Sequence, residues 1–392
     1  MRTSPHFPRL LLSMALALPG AAAMADPLYN ITLLGGTGSS ASDINSWGDV
    51  VGSAMTGAAT HAFVHAGGVY TDLGTLGGTN SNANGINDKR QIVGGADNGA
   101  GDRHAFLYAG GTMSDLGTLG GATSEAFAIN NHGLVVGQAQ NGDPATEGYP
   151  QAFGYAGGTM TALGTLPGGL GSYAYAVNNG GLVGGASHEG PATVPEYPFY
   201  AVTYSGGAVH KIGAPELGDS AIHGLNDDGV AVGGIPTSSL AHGSHAFIRD
   251  HGTITDLGVL DPTSVDDSIA WDINNLGQVV GTSAVSIDPG HYGYHGFLWT
   301  GGGLVDLNTL VDPASDWVIT DASGINDAQQ IAATACYRNV FGDCRAVRLD
   351  LVPAVPEPGT WAMLGLGLGL VGAWRRVRPA LSPALSPAAR MA

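Results

Sequence analysis

Asn130-Asn131-His132-Gly133-Leu134-Val135-Val136-Gly137 is one of seven copies of a single cassette. The copies open at Asn45, Asn87, Asn130, Asn178, Asn226, Asn274 and Asn326. Gly stands seven positions after six of them, at Gly52, Gly94, Gly137, Gly185, Gly233 and Gly281; the last has Ala333. The mean spacing, (326 − 45)/6 or about 47 residues, is that of a repeat architecture. Asn followed three residues later by Gly, as in Asn130 to Gly133, has the preferences of a type I turn. Arg90 and Gln329 take the place of that Gly in two units, so Gly is favoured there but not required.

Around each turn lie strand-sized pieces. In the third unit these are Ala126 to Ile129, Leu134 to Gln138, Gln151 to Tyr155 and Met160 to Thr165. Glycine is abundant and no long 3.6-residue apolar period appears, so helices are not expected. Four short antiparallel strands in a unit of this length suit a propeller blade. The last unit ends on its third strand, near Val347 to Leu351, and the chain carries an orphan fourth-strand piece at Tyr29 to Gly36. Pairing the two closes a ring and removes exposed sheet edges. The expectation is an all-β, seven-bladed β-propeller closed by an N-terminal strand; the alternative is an open β-solenoid of repeats.

His61-Ala62-Phe63, His104-Ala105-Phe106 and His245-Ala246-Phe247 recur within the units. On these residues the chain resembles the HAF repeats of extracellular bacterial proteins. Gln151-Ala152-Phe153 and His295-Gly296-Phe297 depart from the motif, and none is clear near Pro198 to Ala201. The resemblance implies an exported protein and no defined reaction. A His that recurs in step with the scaffold is expected to be a structural hydrogen-bonder.

The two ends carry transport signals. Arg2 and Arg9 precede the apolar run Leu10 to Leu18, and Ala23-Met24-Ala25 fits a cleavage site, so residues 1–25 are expected to be a secretory signal peptide. At the other end Pro356-Glu357-Pro358 precedes the uncharged stretch Thr360 to Trp374 and the cluster Arg375-Arg376-Val377-Arg378. This order resembles the PEP-CTERM sorting signal of Gram-negative bacteria. That resemblance implies an exosortase-type membrane protease as partner, and a transmembrane helix that anchors the chain transiently in the inner membrane. The protein would then reach the cell surface or the extracellular space. The expected domains are 1–25, a repeat propeller over 26–352, and a sorting segment with a basic tail over 353–392.

Six of the 14 Lys and Arg lie in those two end segments, leaving 8 basic residues against nearly all of the 32 acidic ones. So negative a surface repels phosphate backbones, and no nucleic acid partner is expected. Cys336 and Cys344 flank what reads as a hairpin tip, and an exported compartment permits a disulfide between them. No G-x-S-x-G, H-E-x-x-H, zinc spacing or Walker loop is present, so no catalytic residue, metal site or cofactor is expected.

In a four-stranded meander the Asn turns share one face, and they are uniform. The loops between second and third strands share the other face and vary: eight residues separate Gly52 from His61, but thirteen separate Gly137 from Gln151. Insertions on one face mark a binding face. There, aromatics stand beside acids: Glu147 and Tyr149, Glu196 and Tyr197, and His291, Tyr292 and Tyr294 near Asp288. Such pairs suit sugar rings. The expectation is a non-enzymatic binding or matrix protein linked to extracellular polysaccharide. The alternatives are a polysaccharide hydrolase or lyase, and a passive structural repeat.

Overall fold

The structure, a computed structural model, describes residues 29–352 apart from 147, 191–197, 214–218, 239–240, 289–290 and 339–341. The signal residues Ala23 and Ala25, the sorting residues Pro356, Glu357, Pro358, Arg375 and Arg376, and the candidate ligand residues Glu147, Glu196 and Tyr197 lie outside the described set.

Seven four-stranded antiparallel sheets follow one another along the chain. Six are simple meanders. In the third, Ser124–Ile129, Val135–Ala139, Gln151–Ala156 and Thr159–Ala162 pair in sequence order. The seventh differs. Its order runs Tyr29–Leu33, Cys344–Leu351, Ile331–Tyr337, Trp317–Ile325, so the first strand of the chain supplies the outermost strand of the last blade. The pairing is antiparallel, from Tyr29 opposite Leu351 to Leu33 opposite Val347. The ring is a seven-bladed propeller closed as the repeat arithmetic requires.

The repeated residues have separate duties. The Phe of the third strand is fully buried in five blades, at Phe63, Phe106, Phe153, Phe247 and Phe297. Each packs among its own blade and a neighbour; Phe63 sits with Leu34, Ile44 and Val50 against Ala332 and Ala346 of the seventh blade, which makes the closure apolar as well as hydrogen-bonded. Removing one such ring from a close-packed site costs about 3–5 kcal/mol.

A buried Ser opening the first strand of one blade staples it to the blade before. Ser124 Oγ accepts from Ala105 N–H at 2.8 Å and donates to Gly117 O; Ser81, Ser172, Ser268 and Ser39 repeat both bonds.

The second-strand glycine that recurs in six of the seven units is a matter of space. A Cβ on Gly137 would lie 2.1 Å from the Glu125 carbonyl oxygen, and on Gly185 only 1.9 Å from that of Tyr173. The seventh blade carries Ala333 here, and its first strand has an additional irregularity between Ile319 and Asp321. The glycine closing each Asn turn has a positive φ, and Arg90 and Gln329 adopt the same left-handed conformation at φ 57° and 62°. Their side chains are tied across blades: Arg90 Nε donates to Asp49 at 2.7 Å and Gln329 Oε1 accepts from Gln278 at 3.1 Å.

Cys336 and Cys344 face each other in register on adjacent strands of the closing blade and are joined by a disulfide.

Candidate ligand channel

The first strands of the seven blades stand side by side around the axis and wall a central channel. Their Asn turns ring one end, around a smaller cavity of about 200 Å³. Each Asn side chain donates from Nδ2 to the carbonyl of the next blade's Asn. The chain runs from Asn45 through Asn87, Asn130, Asn178, Asn226, Asn274 and Asn326, then back to Asn45. All seven are buried. The same side chain's Oδ1 accepts backbone N–H groups of its own turn, as Asn130 does from His132 and Leu134. A carboxamide is the group that can do both at once, since a carboxylate cannot donate and an amine cannot accept.

A second ring follows at the next residue: Ser46, Asp88, Asn131, Asn179, Asp227, Asn275 and Asp327. Backbone N–H groups of Ser46, Asp88, Asn131, Asn179, Asp227 and Asn275 each donate to the Oδ1 of the next member. No two aspartates are neighbours, so each finds a donor beside it, as Asp88 finds Asn131 at 2.7 Å.

Upstream of each Asn the wall changes character. The residue three positions before it is skipped in the pairing of first and second strands, a β-bulge in every blade. A bulge re-aims the side chain it frees. The seven freed residues are Ser42, Asn84, Phe127, Tyr175, His223, Trp271 and Ser323, and all seven line one cavity of about 550 Å³. That is within the range of small-molecule pockets.

The cavity is two-sided. Blades 3 to 6 give an aromatic arc, with ring centroids 5.1 Å apart for Phe127–Tyr175, 5.1 Å for Tyr175–His223 and 4.8 Å for His223–Trp271. Blades 7, 1 and 2 give Ser323, Ser42 and Asn84. The arc continues outward: Tyr175 stacks on Tyr173, Tyr173 meets Phe199, Phe199 meets His188, and His188 meets Tyr149.

Three carboxylates, Asp43, Asp272 and Asp321, complete the lining, which contains no Lys or Arg. Asp43 accepts from Ile44 N–H at 2.7 Å and from Ile86 N–H of the next blade at 2.8 Å. Asp272 does the same with Ile273 and Ile325, both at 2.8 Å. Each therefore ties two blades. Both keep contact with the channel yet are walled by protein. Burial, with the nearby Asp272 charge, pushes Asp43 up to about 8 despite its two N–H donors. Burial raises Asp272 to about 6. Asp321 is also raised by burial, against a hydrogen bond from Thr282. Burial lowers His223 to about 4, so its imidazole is neutral.

The repeat histidines do not face this channel's chemistry. His61, His104, His245 and His295 each bond through Nδ1 to an Asp eleven residues on: Asp72, Asp115, Asp256 and Asp306, at 2.7–2.9 Å. In the first three pairs the Asp also accepts the N–H of the Gly two residues later. The pair fastens the fourth strand to the third.

Of the candidate ligand residues, His291, Tyr292 and Tyr294 come together on the long hairpin of blade 6. Tyr292 and Tyr294 meet edge to face at 6.1 Å, Tyr294 donates to Asp267 at 2.9 Å, and His291 bonds Asp288. Tyr149 joins instead the aromatic path that leads into the channel. The channel residues themselves were not expected. The signal was available in the repeats: within the frame Ser-x-Ala-x-x-Ile-Asn, the columns five, three and two before Asn vary while their neighbours repeat.

Among the described residues, no group of three or more His, Cys, Asp or Glu is arranged to hold a metal ion, and no helix is long and apolar enough to cross a membrane. The stretch 360–374 lies outside them.

A family model of the PEP-CTERM protein-sorting motif matches residues 354–378. This supports an exported, surface-directed protein and is consistent with processing by an exosortase membrane protease. A search of the curated proteins returns no match. Among solved structures, the chain is similar to the β-propeller domain of the Trilobed protease from Pyrococcus furiosus, at 8% identity over 81% of this chain and 96% of that one, with TM-score 0.48. It is also similar to a gluconolactonase from Xanthomonas campestris, at 13% identity over 86% and 99%, with TM-score 0.39. Similarity to TolB from Acinetobacter baumannii is at 12% identity over 57% of this chain, with TM-score 0.38, and spans about half of TolB (52%). These identities and scores are low; the strand pairing itself establishes the propeller.

Proposed function

We propose that the chain is an exported, exosortase-sorted, non-enzymatic binding protein that takes extracellular polysaccharide at its channel mouth. It would pass the inner membrane during sorting and act at the cell surface or beyond it. Its units would be HAF-type repeats serving as a rigid frame.

The supporting observation is the column of bulge residues. Seven equivalent positions, all freed from strand pairing, all line one cavity, and they divide into an aromatic arc and a polar one. Aromatic faces stack on the C–H faces of sugars, while Ser and Asn meet hydroxyls. Asp43 and Asp272 already serve two backbone N–H groups each, a structural duty that favours binding over acid–base turnover. The hairpin residues His291, Tyr292 and Tyr294, the loop residue Tyr149, and Glu147, Glu196 and Tyr197 would extend the contact to a longer polymer.

A glycan array probed with the purified full chain tests this. Binding without product release, lost in Tyr175→Ala, is the expected result. Time-dependent chain shortening would make the protein a hydrolase or lyase. Silence on every glycan would leave a passive structural repeat.

A further inference from the structure

The lining of the channel cavity is chemically one-sided. It presents carboxylates at Asp43, Asp272 and Asp321, a neutral imidazole at His223, and no cationic side chain. Across from Asp43 stands the aromatic arc of Phe127, Tyr175, His223 and Trp271, with Trp271 itself next to Thr282, whose hydroxyl donates to Asp321. An anionic sugar, such as a uronate or a sulfated residue, would enter this cavity beside carboxylates and find no cationic side chain in the lining. A ring that carries an ammonium group would meet both features at once: a π face, which attracts cations as well as C–H groups, and carboxylates within a confined, low-dielectric space.

We propose that the channel selects sugars bearing a free amine, that is, cationic amino-sugar residues with an unsubstituted ammonium. The inference rests on the polysaccharide-binding reading above and narrows it. Trp271 and Tyr175 would stack on the ring. Asp321, with Asp43 and Asp272, would receive the ammonium, and Ser42 would take a hydroxyl, with Ser323 as an acceptor because its own hydroxyl donates to Ala41 O at 2.9 Å.

A consequence concerns protons. The lining gathers three carboxylates and no cationic side chain, and burial holds Asp43 well above the ordinary carboxylate range. A bound ammonium favours the ionised form, so binding should release a proton from the channel at acidic pH, and affinity should rise with pH until the sugar's own ammonium begins to lose its proton near neutrality. The other ionisable groups that face or influence this layer are Asp272, Asp321, His223, Tyr175 and, from the Asn-turn end, Asp88 and Asp327. His223 is already neutral in this range and Tyr175 is pushed above its ordinary value, so neither should contribute.

The test is isothermal titration calorimetry of the purified full chain. Three matched oligosaccharides serve as probes: β-1,4-glucosamine, its N-acetylated form, and β-1,4-glucose. Each runs in two buffers of different ionisation enthalpy. The expected result is at least tenfold tighter binding of the free-amine chain than of the N-acetylated one, with net proton release near pH 5, where the sugar is fully ammonium. Asp321→Asn, which keeps the acceptor for Thr282, should remove most of that preference. Equal affinity for all three sugars, or tighter binding of the neutral ones, overturns the selectivity and leaves the polysaccharide reading standing. No binding to any sugar overturns both. Because the ligand comparison is made on the unaltered chain, the outcome does not depend on whether a variant folds.

Discussion

Each first strand and the turn that follows it carry two residues, three positions apart, that meet different demands. At the Asn position all seven blades hold the same residue; at the bulge position they hold Ser, Asn, Phe, Tyr, His, Trp and Ser. The Asn side chain is buried and makes bonds to its own turn and to the next blade, so any other residue would leave partners unmet. The bulge residue is skipped by the strand pairing and faces the cavity. Identity follows the shared demand of blade-to-blade closure, while each bulge residue meets a local demand of its own, as Asn84 donates to Ala126 O, Ser323 to Ala41 O and Trp271 to Thr282.

The sharpest way to break this contrast is to swap the demands. Asn130→Ala removes the donor to the Asn178 carbonyl and the acceptor for the His132 and Leu134 N–H groups. With the site buried, a loss of about 3 kcal/mol is expected, read as a lower urea midpoint of unfolding. Ser124→Ala removes one staple between blades 2 and 3 and strands the Ala105 N–H. It should cost about 2 kcal/mol in the same measurement. Phe127→Ala in the channel should cost less than either.

Gln329→Gly should act in the other direction. Gln329 holds φ 62°, a conformation that costs a side-chain-bearing residue about 1 kcal/mol, against a single bond from Gln278 in return. A midpoint rise worth up to about 1 kcal/mol is expected.

The smallest effect belongs to His245. Burial would lower its pKa, but the hydrogen bonds it donates to Asp256 and Asp266 outweigh that and raise it. A raised folded pKa contributes stability that is full below the unfolded value of about 6.5 and lost as pH rises through the folded one. Asp266 is more than half exposed (57%), so solvent screening keeps the gain small. Asp266→Asn should cost about 0.5 kcal/mol at pH 5.5 and nothing measurable by pH 9.

Much of the frame was legible because closure repeats it. The seven cassettes, the missing fourth strand after Cys344–Leu351 and the orphan at Tyr29–Leu33 pointed to the ring, and the strands pair that way. Arg90 and Gln329 were visible as departures from Gly, but that they keep the left-handed conformation of that Gly was not.

The channel was not legible in the same way. Its residues do not repeat, so a search for repetition passes over them. The bulge also shifts the in–out phase of each first strand, and strict alternation cannot say which way Tyr175 or Trp271 points without the register. The varying loops drew attention to Tyr149 and to His291, Tyr292 and Tyr294; only Tyr149 leads, through His188, Phe199 and Tyr173, to the cavity.

The measurement that tests the division between frame and channel most directly pairs one variant with two readouts. Tyr175→Ala combined with Trp271→Ala should leave the urea midpoint within about 1 kcal/mol of the unaltered chain and abolish oligosaccharide binding. A chain that binds as before would show that the channel is not the site. A chain that unfolds as readily as Asn130→Ala would show that the bulge column belongs to the frame.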